Sequence, residues 1–216
     1  MLGRYMQFYY VMDPMCAWCY GFEPELESFL QSIERLENKP HVTWIMGGLA
    51  PDTDIPMDEE LKETIASYWH QIENNTSVTF NHEYWGINTP YRATYKACRA
   101  VIAAERLKPE SSQNMVKAIQ SAYYQQARNP SLDDTLIACA DSIGLKVAEF
   151  EQEFKSQETE QKFQEHLGLV RHLQVSGFPA LFFIDSQHRL YPLTLGYCHA
   201  SHLAQRFNQI QSHAQS

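Results

Sequence analysis

No segment of this sequence approaches the roughly 18 continuous apolar residues of a membrane span, so no spanning helix is expected. Basic residues form no cluster. With 17 Lys and Arg against 26 Asp and Glu, the formal charge of -9 repels a phosphate backbone or an anionic lipid surface, so neither nucleic acid nor membrane is an expected partner. Low-complexity tracts and internal repeats are also missing, and disorder is expected only at the polar tail QSHAQS. Cysteine is sparse: of five, Cys98, Cys139 and Cys198 are scattered singly, which is not the pattern of a secreted disulfide framework. A reducing, cytoplasmic setting is expected. The opening MLGRYMQFYYVMDP ends in Asp-Pro without a small-residue cleavage site and reads as a strand, not a signal peptide.

What is present suits a folded protein of ordinary composition, 216 residues with 44% apolar. Met6 to Asp13 is a β-branched and aromatic run suited to a strand buried on both faces. Leu26, Phe29, Leu30 and Ile33 then give a helix, with Glu23, Glu25 and Glu27 in its early turns near the positive end of the dipole and Pro24 as a kink or true start. His41 to Leu49 reads as a second strand, making a right-handed β-α-β unit with parallel strands. From about Pro56 to Gln174 the period is helical throughout. Asp58 caps one helix, Thr89-Pro90 opens another, Met115, Ile119 and Tyr123 mark a third, and Gly144 stops a fourth. Strands return at Pro179 to Asp185 and Leu190 to Tyr197, the latter held to a sheet edge by Pro192, before a helix carrying Leu203, Phe207 and Ile210. The division is 1–55 (β-α-β), 56–174 (all-helical insertion) and 175–216 (β-β-α).

Three features stand out: Cys16-Ala17-Trp18-Cys19 at a strand-to-helix junction, Gly177-Phe178-Pro179 opening a late strand, and Gly196 before the closing helix. Together with the element order they resemble the thioredoxin fold in its DsbA-like form, an α/β fold interrupted by a large all-helical insertion. Within that superfamily YVMDPMCAWCYGF is most similar to cytosolic bacterial disulfide isomerases and FrnE-like proteins, over essentially the whole chain. The resemblance implies a thiol-disulfide oxidoreductase or isomerase acting on protein thiols and disulfides. Cys16, at the first helical turn, attacks a disulfide, and the shielded Cys19 resolves the mixed disulfide. It further implies a cis Phe178-Pro179 bond beside the dithiol, where the backbone of Phe178 can pair with an extended substrate.

Asp13 reads equally as a proton relay for the buried thiol and as an acceptor of turn hydrogen bonds. Trp18 is placed at the mouth of the site with Gly177, Phe178 and Pro179; Tyr20 either joins it or packs into the insertion. Cys198 and His199 should reach the same end of the sheet, as a third thiol, as a metal site with His202, or as a Cys beside a helix start. Cys98 and Cys139 read as core, and most of the histidines, lacking an H-x-x-x-H pattern, as solvated. No resident cofactor or metal is expected; glutathione is a candidate co-substrate. Oligomeric state is not readable. Two other functions fit the architecture. A glutathione-dependent isomerase or kappa-class-like transferase generally carries one Ser or Cys where this chain has two Cys. A metal-binding or redox-sensing module would usually have a second C-x-x-C.

Overall fold

The run MQFYYVM forms strand β1 (Met6–Met12) in a computed structural model of the chain, which describes residues 6–34 and 39–214. Residues 1–5 of the opening run and the last two of the polar tail lie outside the described residues, while the rest of that tail continues the closing helix. Helix α1 (Ala17–Glu34) follows, then β2 (Pro40–Met46), paired in parallel with β1 as the β-α-β reading requires. Strands β3 (Ala180–Ile184) and β4 (Leu190–Leu195) complete a sheet of order β2-β1-β3-β4, with β3 antiparallel to β1. Pro192 therefore sits on an edge strand, next to a register shift at Leu181/Phe182. The closing helix is the last element, Ala200–Ala214.

Between β2 and β3 the chain is helical: α2 (Glu59–Asn75), α3 (Tyr84–Ile87), α4 (Tyr95–Leu107), α5 (Ser112–Gln120), α6 (Asp133–Ser142), α7 (Val147–Phe154) and α8 (Gln157–His172), which makes the closing helix α9. Local chemistry sets several boundaries. Asp58 caps α2 by accepting the Leu61 N–H at 2.8 Å, Ser156 caps α8 through Thr159, and α6 ends ahead of Gly144, whose φ of +80° suits a residue without Cβ.

Alternation along β1 explains why both faces are buried. Phe8, Tyr10 and Met12 face a core closed by α1 and α9, where the rings of Phe8, Phe29, Phe183 and Phe207 meet at centroid separations of 5.1–5.9 Å. Val11 faces the other way, into a smaller cluster with Ile45, Phe182 and Val170 of α8. Each fully buried Phe stabilises the fold by about 1.5–3 kcal/mol relative to exposure. The main cluster continues without a break into the insertion through Trp69, Ile119, Leu136 and Phe150.

Three expectations need correction. Helix α4 starts at Tyr95, not at Thr89-Pro90, because Tyr91 is held in an antiparallel bridge to Pro56. Helix α1 starts at Ala17 and runs on through Pro24, so no acid occupies its first turn; Glu23 and Glu27 instead pair with Lys117 of the insertion. The segment through Tyr123 is not α-helical: Ser121–Gln125 is a π-helical turn, which turns Tyr123 and Tyr124 inward.

Candidate active site

The turn between β1 and α1 closes when the Cys16 N–H donates to the Asp13 carbonyl at 3.0 Å, and the first helical bond runs from the Tyr20 N–H to the Cys16 carbonyl at 3.1 Å. Cys16 therefore occupies the capping position of α1. Its Sγ accepts the Cys19 N–H at 3.3 Å, satisfying one of the donors a helix start leaves open and facing the positive end of the dipole. Cys16 is 7% exposed and Cys19 fully buried. Burial first, then the hydrogen bond and charge of Cys16, push the Cys19 thiol well above its ordinary range. An asymmetric dithiol results.

Antiparallel pairing of β1 with β3 brings the second motif alongside. The Phe178-Pro179 peptide is cis, as the resemblance implied, and the Phe178 carbonyl accepts from the Cys16 thiol at 3.8 Å. Pro179 is buried, its carbonyl taking the Gly196 N–H at 2.7 Å; Phe178 is half-buried and Gly177 exposed. Gly47, which sequence reasoning missed, holds the Phe178 ring in place: a Cβ there would lie 2.3 Å from the ring carbons.

Asp13 is fully buried yet fully engaged. One carboxylate oxygen accepts the Met15 N–H at 2.8 Å, while the other accepts the Leu49 N–H at 2.7 Å, the Thr94 hydroxyl at 2.6 Å and the Cys98 thiol at 3.5 Å. The turn-acceptor role is thus present, and the same group also joins the sheet to the insertion. Burial raises the Asp13 pKa more than these hydrogen bonds lower it. Cys98 is buried as expected, but it belongs to this cluster; burial, and then the charge of Asp13, raise its thiol as well. Neither Thr94 nor Cys98 could be assigned from sequence, because what places them is the start of α4 meeting Asp13 in the turn after β1.

Trp18 is half-buried beside the dithiol, its ring 5.6 Å from that of Tyr197. Tyr20 packs into the insertion instead, stacked on Tyr124 at 4.6 Å, with its hydroxyl accepting from Gln125. Glu25, one and a half turns beyond Cys19, accepts the Ala200 N–H at 2.7 Å and engages His199 at 3.1 Å, so it caps α9 from outside. His199 is therefore turned to a carboxylate, and among the described residues Cys198, His199 and His202 do not form a ligating trio. A cavity of about 610 Å³ lies at the β2 edge among Leu30, Val42, Trp44 and Glu105, and the dithiol does not line it.

The sequence signature of the thioredoxin family matches residues 9–205. A protein from Nitrosomonas europaea, provisionally named a protein disulfide isomerase, has a crystal structure matching this one with a TM-score of 0.82 at 28% identity, over 97% of this chain and 99% of that one. The cytosolic disulfide reductase DsbM from Pseudomonas aeruginosa matches with a TM-score of 0.74 at 22% identity, over 95% and 98% of the two chains, and has also been solved with GSH. Among curated sequences, the ClpXP adapter protein SpxH from Halalkalibacterium halodurans is 21% identical, over 83% of this chain. The chain spans only 59% of that relative's length. Among the described residues no helix is long and apolar enough to cross a membrane.

Proposed function

Because the chain belongs to the thioredoxin family, in its DsbA-like form with a helical insertion, we propose that it is a thiol-disulfide oxidoreductase acting on protein disulfides in the cytoplasm, with glutathione as the recycling thiol. The observation that carries this reading is the placement of Cys16 Sγ, 3.3 Å from the Cys19 N–H at the start of α1 and 3.8 Å from the Phe178 carbonyl. The Cys19 N–H at the start of α1 is aimed at that sulfur, and an extended chain seated along Phe178 would bring its own sulfur alongside.

In the forward direction the Cys16 thiolate attacks one sulfur of a substrate disulfide. A mixed disulfide forms, and the other substrate sulfur leaves as a thiolate that takes a proton from water. Cys19 then gives up its proton, with Asp13 as the relay, and attacks Cys16 Sγ. The second substrate thiolate leaves, the substrate has gained two electrons, and the enzyme holds a Cys16–Cys19 disulfide. Two glutathione thiols, oxidised together to one glutathione disulfide, restore the dithiol. Run backwards, the same steps insert or reshuffle a disulfide. Trp18, Gly177, Phe178 and Pro179 form the substrate-contacting surface in this proposal.

Insulin reduction with glutathione as reductant tests it. Wild type should turn over, Cys16→Ser should be inactive, and Cys19→Ser should accumulate mixed disulfide. Full activity in Cys16→Ser would remove the proposal in favour of a non-catalytic module, a reading to which the adapter function of SpxH gives some support. Full activity in Cys19→Ser alone would select the glutathione-dependent monothiol reading.

A further inference from the structure

Among the described residues, one trio of side chains brings three metal-ligating atoms together, and it lies outside the dithiol site: His70, Glu73 and His82. His70 and Glu73 are three apart on the last turns of α2 and so share a face. His82 comes from the connection to α3. That connection is held in place: the Phe80 N–H donates to one Glu73 oxygen at 2.8 Å, the Asn81 N–H donates to the Tyr124 carbonyl at 2.6 Å, and the Phe80 ring stacks on Trp69 at 4.9 Å. The other Glu73 oxygen faces both imidazoles, 3.1 Å from His82 Nε2 and 3.5 Å from His70 Nδ1.

We propose that His70 Nδ1, Glu73 Oε2 and His82 Nε2 form a binding site for a divalent transition metal of the zinc class. Two ligands held about 2.0–2.1 Å from a tetrahedral ion stand about 3.3 Å apart, close to both carboxylate-imidazole separations. All three atoms already lie within 4.8 Å of one another, and the rest of the closure falls to His70, whose side chain is 65% exposed and would swing out of its stack on the His82 ring, 4.1 Å away, to turn its Nδ1 onto the ion. The second Glu73 oxygen, fixed by the Phe80 N–H, orients the carboxylate in the way outer hydrogen bonds orient metal ligands. Two imidazoles and one carboxylate favour Zn²⁺, Ni²⁺ or Cu²⁺ over Mg²⁺ or Ca²⁺, and partial exposure leaves room for water as a further ligand. The ion would fasten the 76–83 connection to α2, next to Phe80, whose ring meets that of Tyr20 at 5.3 Å.

The test uses the full chain with Cys16 and Cys19 oxidised to their disulfide, so that those thiols do not compete. Calorimetric titration with zinc chloride should give one ion per chain. His70→Ala, Glu73→Gln and His82→Ala should each weaken it on the order of 10-fold or more, and Cys198→Ser should leave it unchanged. Cobalt(II) should give a ligand-field spectrum without a thiolate charge-transfer band. At equal concentration, zinc should raise the melting temperature of wild type more than that of His70→Ala, a surface change that keeps the fold. Absence of binding, equal affinity in wild type and His70→Ala, or a thiolate band in the cobalt spectrum would each overturn the assignment.

Discussion

Replacing Asp13 by Asn separates a structural carboxylate from a chemical one. In wild type one oxygen takes the Met15 N–H and the other takes three donors, from Leu49, Thr94 and Cys98. An amide of the same shape offers one acceptor and one NH₂. If the oxygen stays with the three donors, the buried Met15 N–H loses its partner; a buried unsatisfied donor costs about 1–3 kcal/mol. Thr94 keeps its bond in that arrangement, with the Ala50 carbonyl 3.4 Å away as a second acceptor, so the Met15 N–H alone sets the cost. The pH dependence has a definite sign. Burial raises the native pKa of Asp13 above 3.8, so the native state holds its proton more tightly than the unfolded chain. The stability this contributes is complete below about pH 3.8 and is lost as pH rises through the native pKa. Urea unfolding across pH 3 to 7 should therefore show the wild-type advantage over Asp13→Asn shrinking toward neutrality. Kinetically, loss of a proton relay should slow resolution by Cys19 by about 100- to 10,000-fold, while mixed-disulfide formation at Cys16 continues. Stopped-flow measurement with a chromogenic disulfide reads the two steps separately. Unchanged resolution alongside the stability loss would refute the relay and leave Asp13 as a joint between sheet and insertion.

Other outcomes follow from the same geometry. Gly47→Ala should displace the Phe178 ring, costing about 1–3 kcal/mol of stability and raising KM for protein disulfides more than it lowers kcat; an unchanged KM would separate Phe178 from substrate contact. His166 accepts the Met46 N–H at 3.1 Å through Nδ1, and burial lowers its pKa to about 4. A depressed native pKa contributes stability that is complete above about 6.5 and lost as pH falls through about 4. Acid unfolding should steepen in that window, and His166→Gln, which keeps an acceptor, should flatten it. Iodoacetamide should label Cys16 and the half-exposed Cys198 in the native reduced protein, and Cys19, Cys98 and Cys139 only after unfolding, as peptide mapping would show. Burial raises Cys139 to about 11.

Periodicity carried much of the fold. The β-branched and aromatic run MQFYYVM marked a strand buried on both faces, and the structure fills those faces with two separate clusters. The C-x-x-C and Phe178-Pro179 motifs, 160 residues apart in the chain, were legible as neighbours because the β-α-β and β-β-α order leaves little choice of topology. What periodicity could not reveal was contact across the insertion. Thr94 and Cys98 resemble any residues of a helical stripe until α4 packs against Asp13, and His82 resembles a loop histidine until Phe80 is pinned to Trp69. Glu25 misled for a related reason: its charge was read against its own helix, whereas its partner is the start of α9.

The difference in depth between the two sulfurs imposes an order of events. Cys19 is fully buried beside Tyr10, while Cys16 keeps some exposure, so an incoming molecule reaches Cys16 first. In the proposed exchange the inner sulfur would respond only to a bond that has already formed, so that selectivity would be decided at the door, by whatever fits against Phe178, and speed in the interior.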